Sequence, residues 1–405
     1  MNGSLNVDSL ISGISRVADG LDHGYTITSR QQHQLREACA RLSSRLSETT
    51  AQVQYSNSTA MKIAIDMGIF DYVCNSEKDE FTAAEIASAT GADPVLVERI
   101  MRPLILTRLF SPTPKSTYKA NKSAKQLASG SYMRDMVTFT QEVAEFVNLQ
   151  LPEFLAKTRY QSPNRLASTP FQFTFKTRDS FYTWLQKRPA LYSAFSGMMK
   201  ALGDGASRWP DSFPAAERFK RFRGANVEQP LRIVDIAGGR GYNLQYLLDA
   251  VPDLQGELIL QDLPEVLENW NENEPVPLHP GIRTMPHNFF EAQPVKAAHV
   301  YVLTQVLHNW PDAECRQILE HIKAAMDRDS VLLIGDKVFP SGAAEVSLAD
   351  VTADMFMMMF FGAMERTESQ FRVLLESVGL EVVKVWRATE SGHAQDAVLE
   401  ARLVE

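Results

Sequence analysis

The stretch VDIAGGRGY, residues 234–242, closes one apolar run and precedes a segment of helical character. Its first half belongs to LRIVDIA (231–237), a continuous β-branched and leucine-rich run of the kind that forms a strand buried on both faces. Glycines at 238, 239 and 241 let the chain turn where side-chained residues would be strained, so backbone can pass close to a ligand, and Asp235 adds a carboxylate at the strand end. Glycines alone are weak evidence. A second acid, Asp262 in ELILQD (257–262), ends the next predicted strand, where a carboxylate can accept from both hydroxyls of a ribose. The two features in consecutive strand–helix units point to a nucleotide-bearing ligand. A nicotinamide dinucleotide would use similar parts, and the bland reading is a tight turn with an incidental surface acid.

Outward from this stretch, strand and helix signals alternate. After the helix through Tyr246 to Ala250 come ELILQD, a helix at Glu265 to Trp270, GIRTM (281–285), HVYVLTQV (299–306), a helix at Ala313 to Met326, and SVLLIGDKV (330–338). A helix at Glu368 to Val378 and the strands EVVKVW (381–386) and DAVLEARL (396–403) follow. The alternation predicts an α/β class, a Rossmann-like doubly wound domain over 226–405, with ligands at the carboxyl ends of its strands and its last two strands forming an antiparallel edge. Upstream, 131–225 reads as a helical region rich in aromatics, among them Phe139, Phe146, Phe154, Phe171, Phe173, Phe175, Phe181, Tyr182, Trp184, Tyr192 and Phe195, followed by Met198 and Met199. Most of these are ordinary core, and the rest are candidate walls for a flat apolar substrate. GANVEQP (224–230) reads as the linker between the two regions.

Residues 1–130 read as helical. Ala60, Ile63, Ala64, Met67 and Ile69 recur at helical spacing, with a stop at Gly68. Thr82 with Glu85 forms a capping box, Gly91 ends that helix, Asp93-Pro94 opens the next, and Leu96, Ile100, Leu104 and Ile105 supply its inner face. Two short helices followed by a third element make a winged-helix pattern, for which dimer contact and DNA binding are the alternatives. The charge favours the first: 41 basic against 49 acidic residues leave a net charge of −8, so no basic field is available to hold a phosphate backbone.

Cys39, Cys74 and Cys315 lie far apart with no metal-ligand spacing, which argues against a disulfide framework and a structural zinc site and fits a reducing, cytoplasmic location. The first 24 residues lack a basic segment followed by an apolar one, so no secretory signal is expected. The densest apolar stretch, Met355 to Met364, is far too short for a membrane span of about 20 residues.

The ordered motifs DIAGGRG, QDLPEV (261–266), PHNFFEAQPVKAAHVYVLTQVLHNWPDAECRQIL (286–319), GDKVFP (335–340) and GAMERTESQF (362–371) together resemble the S-adenosylmethionine-dependent O-methyltransferases of the caffeate and fungal polyketide type. The resemblance runs from near Ala60 to the C-terminus. It implies an N-terminal domain that makes an intertwined homodimer, S-adenosylmethionine as cofactor, and an apolar small-molecule substrate, with no role for a metal, nucleic acid or membrane. It places Gly238, Gly239 and Gly241 at the methionine end of the cofactor, Asp262 on the ribose, and Asn288 with Phe289 beside the adenine. His308 falls at the general-base position, with Asp336 and Glu365 as the carboxylates that orient it. The roles are chemically coherent, because methyl transfer from a sulfonium needs an aligned acceptor and a group to take its proton.

Four positions depart from the family pattern: Ala237 where glycine is usual, Asn288 and Asn309 where aspartate is usual, and Lys337 beside Asp336. These departures leave a second activity open. Some fungal proteins of this fold act as dehydratases or pericyclases, and Lys337 with His308 could stabilise charge on a carbonyl oxygen without methyl transfer. A non-catalytic dimeric binding protein is a third reading, distinguished by cofactor binding without turnover.

Overall fold

The computed structural model describes residues 7–22, 24–28, 31–32, 34–35, 38–39, 57–203, 209–220, 230–268, 278–342, 346–387 and 396–404. The chain divides into two compact units, Met1–Gln54 with Glu390–Gly392, and Tyr55–Thr389 with His393–Glu405. In the first, helix α1 (Val7–Asp22) carries the exposed apolar residues Ile11, Ile14, Val17 and Leu21.

The second unit begins with α2 (Asn57–Asp66) and α3 (Ile69–Asn75), joined through Gly68 at φ 76°. Strand β1 (Glu80–Phe81), helices α4 (Ala83–Thr90) and α5 (Pro94–Leu106), and strands β2 (Phe110–Pro112) and β3 (Tyr118–Ala120) then form a winged-helix arrangement around a small sheet of order β1-β3-β2. The capping box is present: Thr82 N donates to Glu85 Oε2 at 2.8 Å and Glu85 N to Thr82 Oγ1 at 3.1 Å. Gly91 closes α4 in the left-handed conformation, and Asp93 caps α5 by accepting from Leu96 N. Two inner faces differ from the periodicity. Val97, Met101 and Leu104 are the buried face of α5 while Leu96 is exposed, and Ile63 of α2 is exposed although Ala64 beside it is fully buried. Apolar residues stand on both sides of each stripe, and which side faces inward is decided by the neighbouring helix.

The helices α6 (Tyr132–Phe139) and α7 (Glu145–Lys157), linked by a π-helical turn at Thr140–Ala144, are followed by α8 (Pro170–Phe175), α9 (Phe181–Gln186) and α10 (Pro189–Gly203). Most of the linker predicted at 224–230 lies outside the described residues. The strand–helix region then runs β4 (Leu231–Ile236), α11 (Tyr242–Ala250), β5 (Gly256–Asp262), α12 (Pro264–Glu268), β6 (Ile282–Pro286), β7 (Val300–Thr304), α13 (Asp312–Lys323), β8 (Val331–Lys337), α14 (Leu348–Phe361), α15 (Glu368–Glu376), β9 (Leu380–Arg387) and β10 (Asp396–Leu403). The helix predicted through Trp270 is seen to Glu268, and its remaining residues lie outside those described.

The sheet has seven strands in the order β6-β5-β4-β7-β8-β10-β9, parallel except for β10, which runs against both its neighbours. The sequence predicts β9 and β10 as an antiparallel edge, and the structure has that antiparallel pair at one end of the sheet, with β10 between β8 and β9 and β9 outermost. Composition explains the order. Ala397 to Ala401 are buried without a break, whereas β9 alternates exposed Glu381, Val383, Lys384 and Arg387 with covered residues, a pattern suited to an edge. Both faces of the sheet are covered: Val234, Ile236, Leu332 and Ile334 pack toward α13 and α15, and Leu231, Ile233, Leu258 and Leu333 toward the other face. Strand order reverses between β4 and β7, the place where such sheets open a crevice at their carboxyl ends. Two non-glycine residues there have left-handed backbone, Ala237 after β4 (φ 56°) and Gln305 after β7 (φ 54°). Strain of this kind costs about 1–3 kcal/mol per residue and concentrates at functional sites.

Candidate active site

The turn between β4 and α11 is built by its own backbone. Gly238 N donates to Gln261 O at 3.1 Å and Gly239 N to Asp262 Oδ2 at 2.8 Å, tying the turn to the end of β5. Gly239 (φ 58°) and Gly241 (φ 72°) take the left-handed conformation, as does Ala237, where the resembling family has glycine. Gly238 is required for a different reason: a Cβ there would stand 2.3 Å from Asp235 Oδ2 and 2.5 Å from Leu260 Cδ1. Asp235 lies beneath the turn, fully buried; burial, and then the nearby Asp262, push its pKa up to about 8 against a hydrogen bond from the Asn243 side chain.

Asp262 is half-buried, and each of its oxygens accepts one backbone N–H, Oδ2 from Gly239 and Oδ1 from Leu263, at 2.8 Å each. Burial moves its pKa upward against those two donors. Each oxygen retains a lone pair, which is what two ribose hydroxyls require. The segment after β6 is fastened to the same place, with His287 N donating to Asp262 O at 2.9 Å. Asn288 Oδ1 accepts from Phe290 N at 3.1 Å, leaving one lone pair and two amide protons for a ligand. Phe289 packs edge-on against Phe290 and Trp310 at 4.8 and 5.6 Å. A glycine-rich turn, a carboxylate with open lone pairs and an aromatic ring fit an adenosyl cofactor.

On the neighbouring side of the crevice, the chain leaving β7 makes a three-residue 3₁₀ turn, Leu307–Asn309. Here the structure joins residues far apart in sequence: His308 Nδ1 lies 3.2 Å from Glu365 Oε1 and 3.8 Å from Asp336 Oδ1. The imidazole is 15% exposed, the two carboxylates 2% and 0%. Burial pulls the His308 pKa down, but Asp336 and Glu365 outweigh it and the net shift is upward. Burial drives Asp336 up to about 7, opposed chiefly by His308. Both oxygens of Asp336 and Oε2 of Glu365 are buried without hydrogen-bond partners, so negative charge at this site is balanced mainly through the imidazole.

Lys337 sits differently. Asp336 leaves β8 on the face of Leu332 and Ile334, and Lys337 by strand alternation on the face of Leu333. Its Nζ is 3.1 Å from Oδ1 of Asp350, a buried acid that also closes the capping box of α14 with Ser347. One turn further along α14, Asp354 accepts from Glu365 N at 2.9 Å. Asn309 turns back on its own loop, donating to Gln305 O at 3.1 Å. Asp350, Asp354 and the fully buried Arg366 are absent from the sequence reading; the adjacency of Arg366 to Glu365 was the one available signal.

Beyond these groups, α14 packs Met359, Phe360 and Phe361 into a cluster with Phe139, Phe171, Phe181, Trp184 and Phe195, while Met355 to Met358 are half-buried. Of the aromatics singled out in 131–225, Phe146, Tyr182 and Tyr192 are exposed.

Residues 220–381 match the O-methyltransferase domain family, and residues 51–130 the O-methyltransferase dimerisation domain. The O-methyltransferase ucdC of Aspergillus ustus is 33% identical over 321 residues, covering 79% of this chain and 80% of that protein. Demethylsterigmatocystin 6-O-methyltransferase of Aspergillus parasiticus is 33% identical over 323 residues, 80% of each. Among solved structures, LepI in complex with SAM matches with a TM-score of 0.81 at 26% identity, covering 98% of this chain and all of that one. A structure described as a pericyclic reaction enzyme matches with the same TM-score at 25% identity, over 98% and 99%.

Proposed function

Because the chain belongs to the O-methyltransferase family, we propose that it methylates a hydroxyl of an apolar aromatic or polyketide-type compound, using S-adenosylmethionine and with His308 as general base. When bound, S-adenosylmethionine supplies a methyl group already activated for displacement. Gly238, Gly239 and Gly241 give its methionine end close backbone approach, Asp262 takes the ribose hydroxyls, and Asn288 and Phe289 flank the adenine, above the buried Asp235.

The observation that carries the reading is an imidazole whose Nδ1 faces two enclosed carboxylates, Glu365 at 3.2 Å and Asp336 at 3.8 Å, just beyond the carboxyl end of β7. With Nδ1 donating to Glu365, Nε2 is the free acceptor. Nε2 would take the proton of the acceptor's hydroxyl, and the imidazolium so formed would face Asp336 and Glu365. Met355 to Met358, with Tyr182 packed 5.6 Å from Phe361 at the end of the same helix, offer an adaptable apolar wall. A homodimer built through residues 51–130 completes the proposal, with sedimentation expected at twice 45.4 kDa.

A second reading, dehydration or pericyclic rearrangement assisted by Lys337 and His308 without methyl transfer, draws on the likeness to a pericyclic reaction enzyme. One experiment separates the two. The protein is incubated with methyl-labelled S-adenosylmethionine and a panel of phenolic and enolic polyketides, and product masses are read. A labelled gain of one methylene unit supports methylation; loss of water or an isomeric product supports the second reading. Calorimetry that gives no heat with S-adenosylmethionine or S-adenosylhomocysteine would remove the cofactor from both.

A further inference from the structure

We propose that Arg366 is the positioning residue of the histidine turn, its guanidinium holding the carbonyls on either side of His308 so that the imidazole is fixed from its backbone as Asp336 and Glu365 fix it from its ring. Nη1 donates to Leu307 O at 2.8 Å, and Nη2 to Trp310 O at 2.8 Å. Within the turn Leu307 O accepts from Trp310 N at 3.2 Å and keeps one lone pair for the guanidinium, and enclosed carbonyls are costly to leave short of partners. The thiol of Cys315 on α13 covers the same two oxygens at 3.3 and 3.2 Å.

The fork is itself anchored. Nε and Nη2 reach Asp312 Oδ1 at 3.1 and 2.7 Å, and the carbonyl of Arg366 accepts from Phe339 N at 2.8 Å, just beyond β8. At 1% exposure the cation is enclosed, which a single ion pair with the half-exposed Asp312 does not by itself explain. Four hydrogen bonds in fixed directions match a planar guanidinium, and a lysine ammonium could not make them together. Residues 365 and 366 therefore grip His308 from two sides with adjacent side chains.

The groups bearing on the imidazole are Asp336 from β8, Glu365 from the loop after α14, and Arg366; Asp312 and Cys315 from α13 stand behind the guanidinium, and Asp354 from α14 behind Glu365. The carboxylates favour the imidazolium and Arg366 opposes it. The inference rests on His308 as the base, but its test does not. In the full chain with ¹⁵N-labelled histidine, the His308 imidazole, assigned by its absence in His308→Ala, is titrated by NMR. Wild type should show one neutral tautomer, protonated at Nδ1. Arg366→Met should move the titration upward by about one pH unit, through loss of a nearby cation, and mix the tautomers. Arg366→Lys should keep the titration near wild type yet still mix them. A folded Arg366→Met with wild-type titration and tautomer would overturn the proposal. If that variant does not fold, Arg366→Lys decides, since a wild-type spectrum from it would overturn the proposal equally. Because the spectrum reads His308 directly, failure of wild-type protein to methylate anything counts against the proposed function and leaves this result standing.

Discussion

Asp235 and Asp336 stand at the carboxyl ends of two strands of one sheet, both buried, but on opposite faces. Burial pushes each pKa far above the usual carboxylate range, to about 8 for Asp235 and about 7 for Asp336. What differs is the neighbour. Asp235 has the acidic Asp262 and a glycine turn above it, which add to burial in favouring the protonated carboxyl, against a hydrogen bond from the Asn243 side chain. Asp336 has an imidazole 3.8 Å away, so it shares the balance of protons with His308 and Glu365. Equal burial thus sets one acid beside a second acid beneath a glycine turn and the other beside an imidazole, and the proposed roles differ accordingly.

The sharpest way to break the comparison is His308→Ala. If the Asp336 face alone holds the base, single-turnover methyl transfer should fall by about 10²–10⁴ while calorimetric affinity for the cofactor stays nearly intact. The same reasoning sets the pH profile: His308 must be neutral to act, its pKa is raised above 6.5, and so the wild-type rate should fall on the acid side with a midpoint above 6.5.

Gly238→Ala probes the other face. The new methyl must displace Asp235 or Leu260, a crowding worth about 1–3 kcal/mol, so thermal stability and cofactor affinity should drop together. An unchanged melting temperature would show that the turn can open without cost.

Asp235→Asn should act on the pH dependence of stability. An acid with a raised folded pKa binds its proton more tightly in the native state, so the stability it lends is complete only below the unfolded value of 3.8 and is lost as pH rises from there toward about 8. The asparagine variant does not titrate, so the melting temperature of the ligand-free protein should fall less steeply between those limits. Parallel curves for the two proteins would mean that Asp235 is not held neutral.

The smallest effect is expected from Lys337→Ala. On the face away from Asp336 and already paired with Asp350, the ammonium should be worth less than about fivefold in methyl transfer. A changed product ratio in this variant would instead bring forward the reading without methyl transfer.

Much of this was present in the linear order of residues. LRIVDIA, ELILQD, HVYVLTQV and SVLLIGDKV are near-continuous apolar runs, a local property that reports burial on both faces, and every strand predicted from 231 onward is found within a residue or two of its expected ends. Capping boxes, glycine stops and the turn at 238–241 are equally local, since they depend on the side chain and the backbone angles of a few consecutive residues. Tertiary structure decided the rest. Whether β9 or β10 lies at the edge depends on which packs against β8, and whether Leu96 or Val97 faces inward depends on the neighbouring helix. That Lys337 and Asp336, adjacent in sequence, serve opposite faces follows from strand alternation combined with what covers each face. Arg366 is the clearest case: the sequence shows an arginine, and only the packed turn of Leu307 to Trp310, 56 and 59 residues away from it, supplies the carbonyls that make it a clamp.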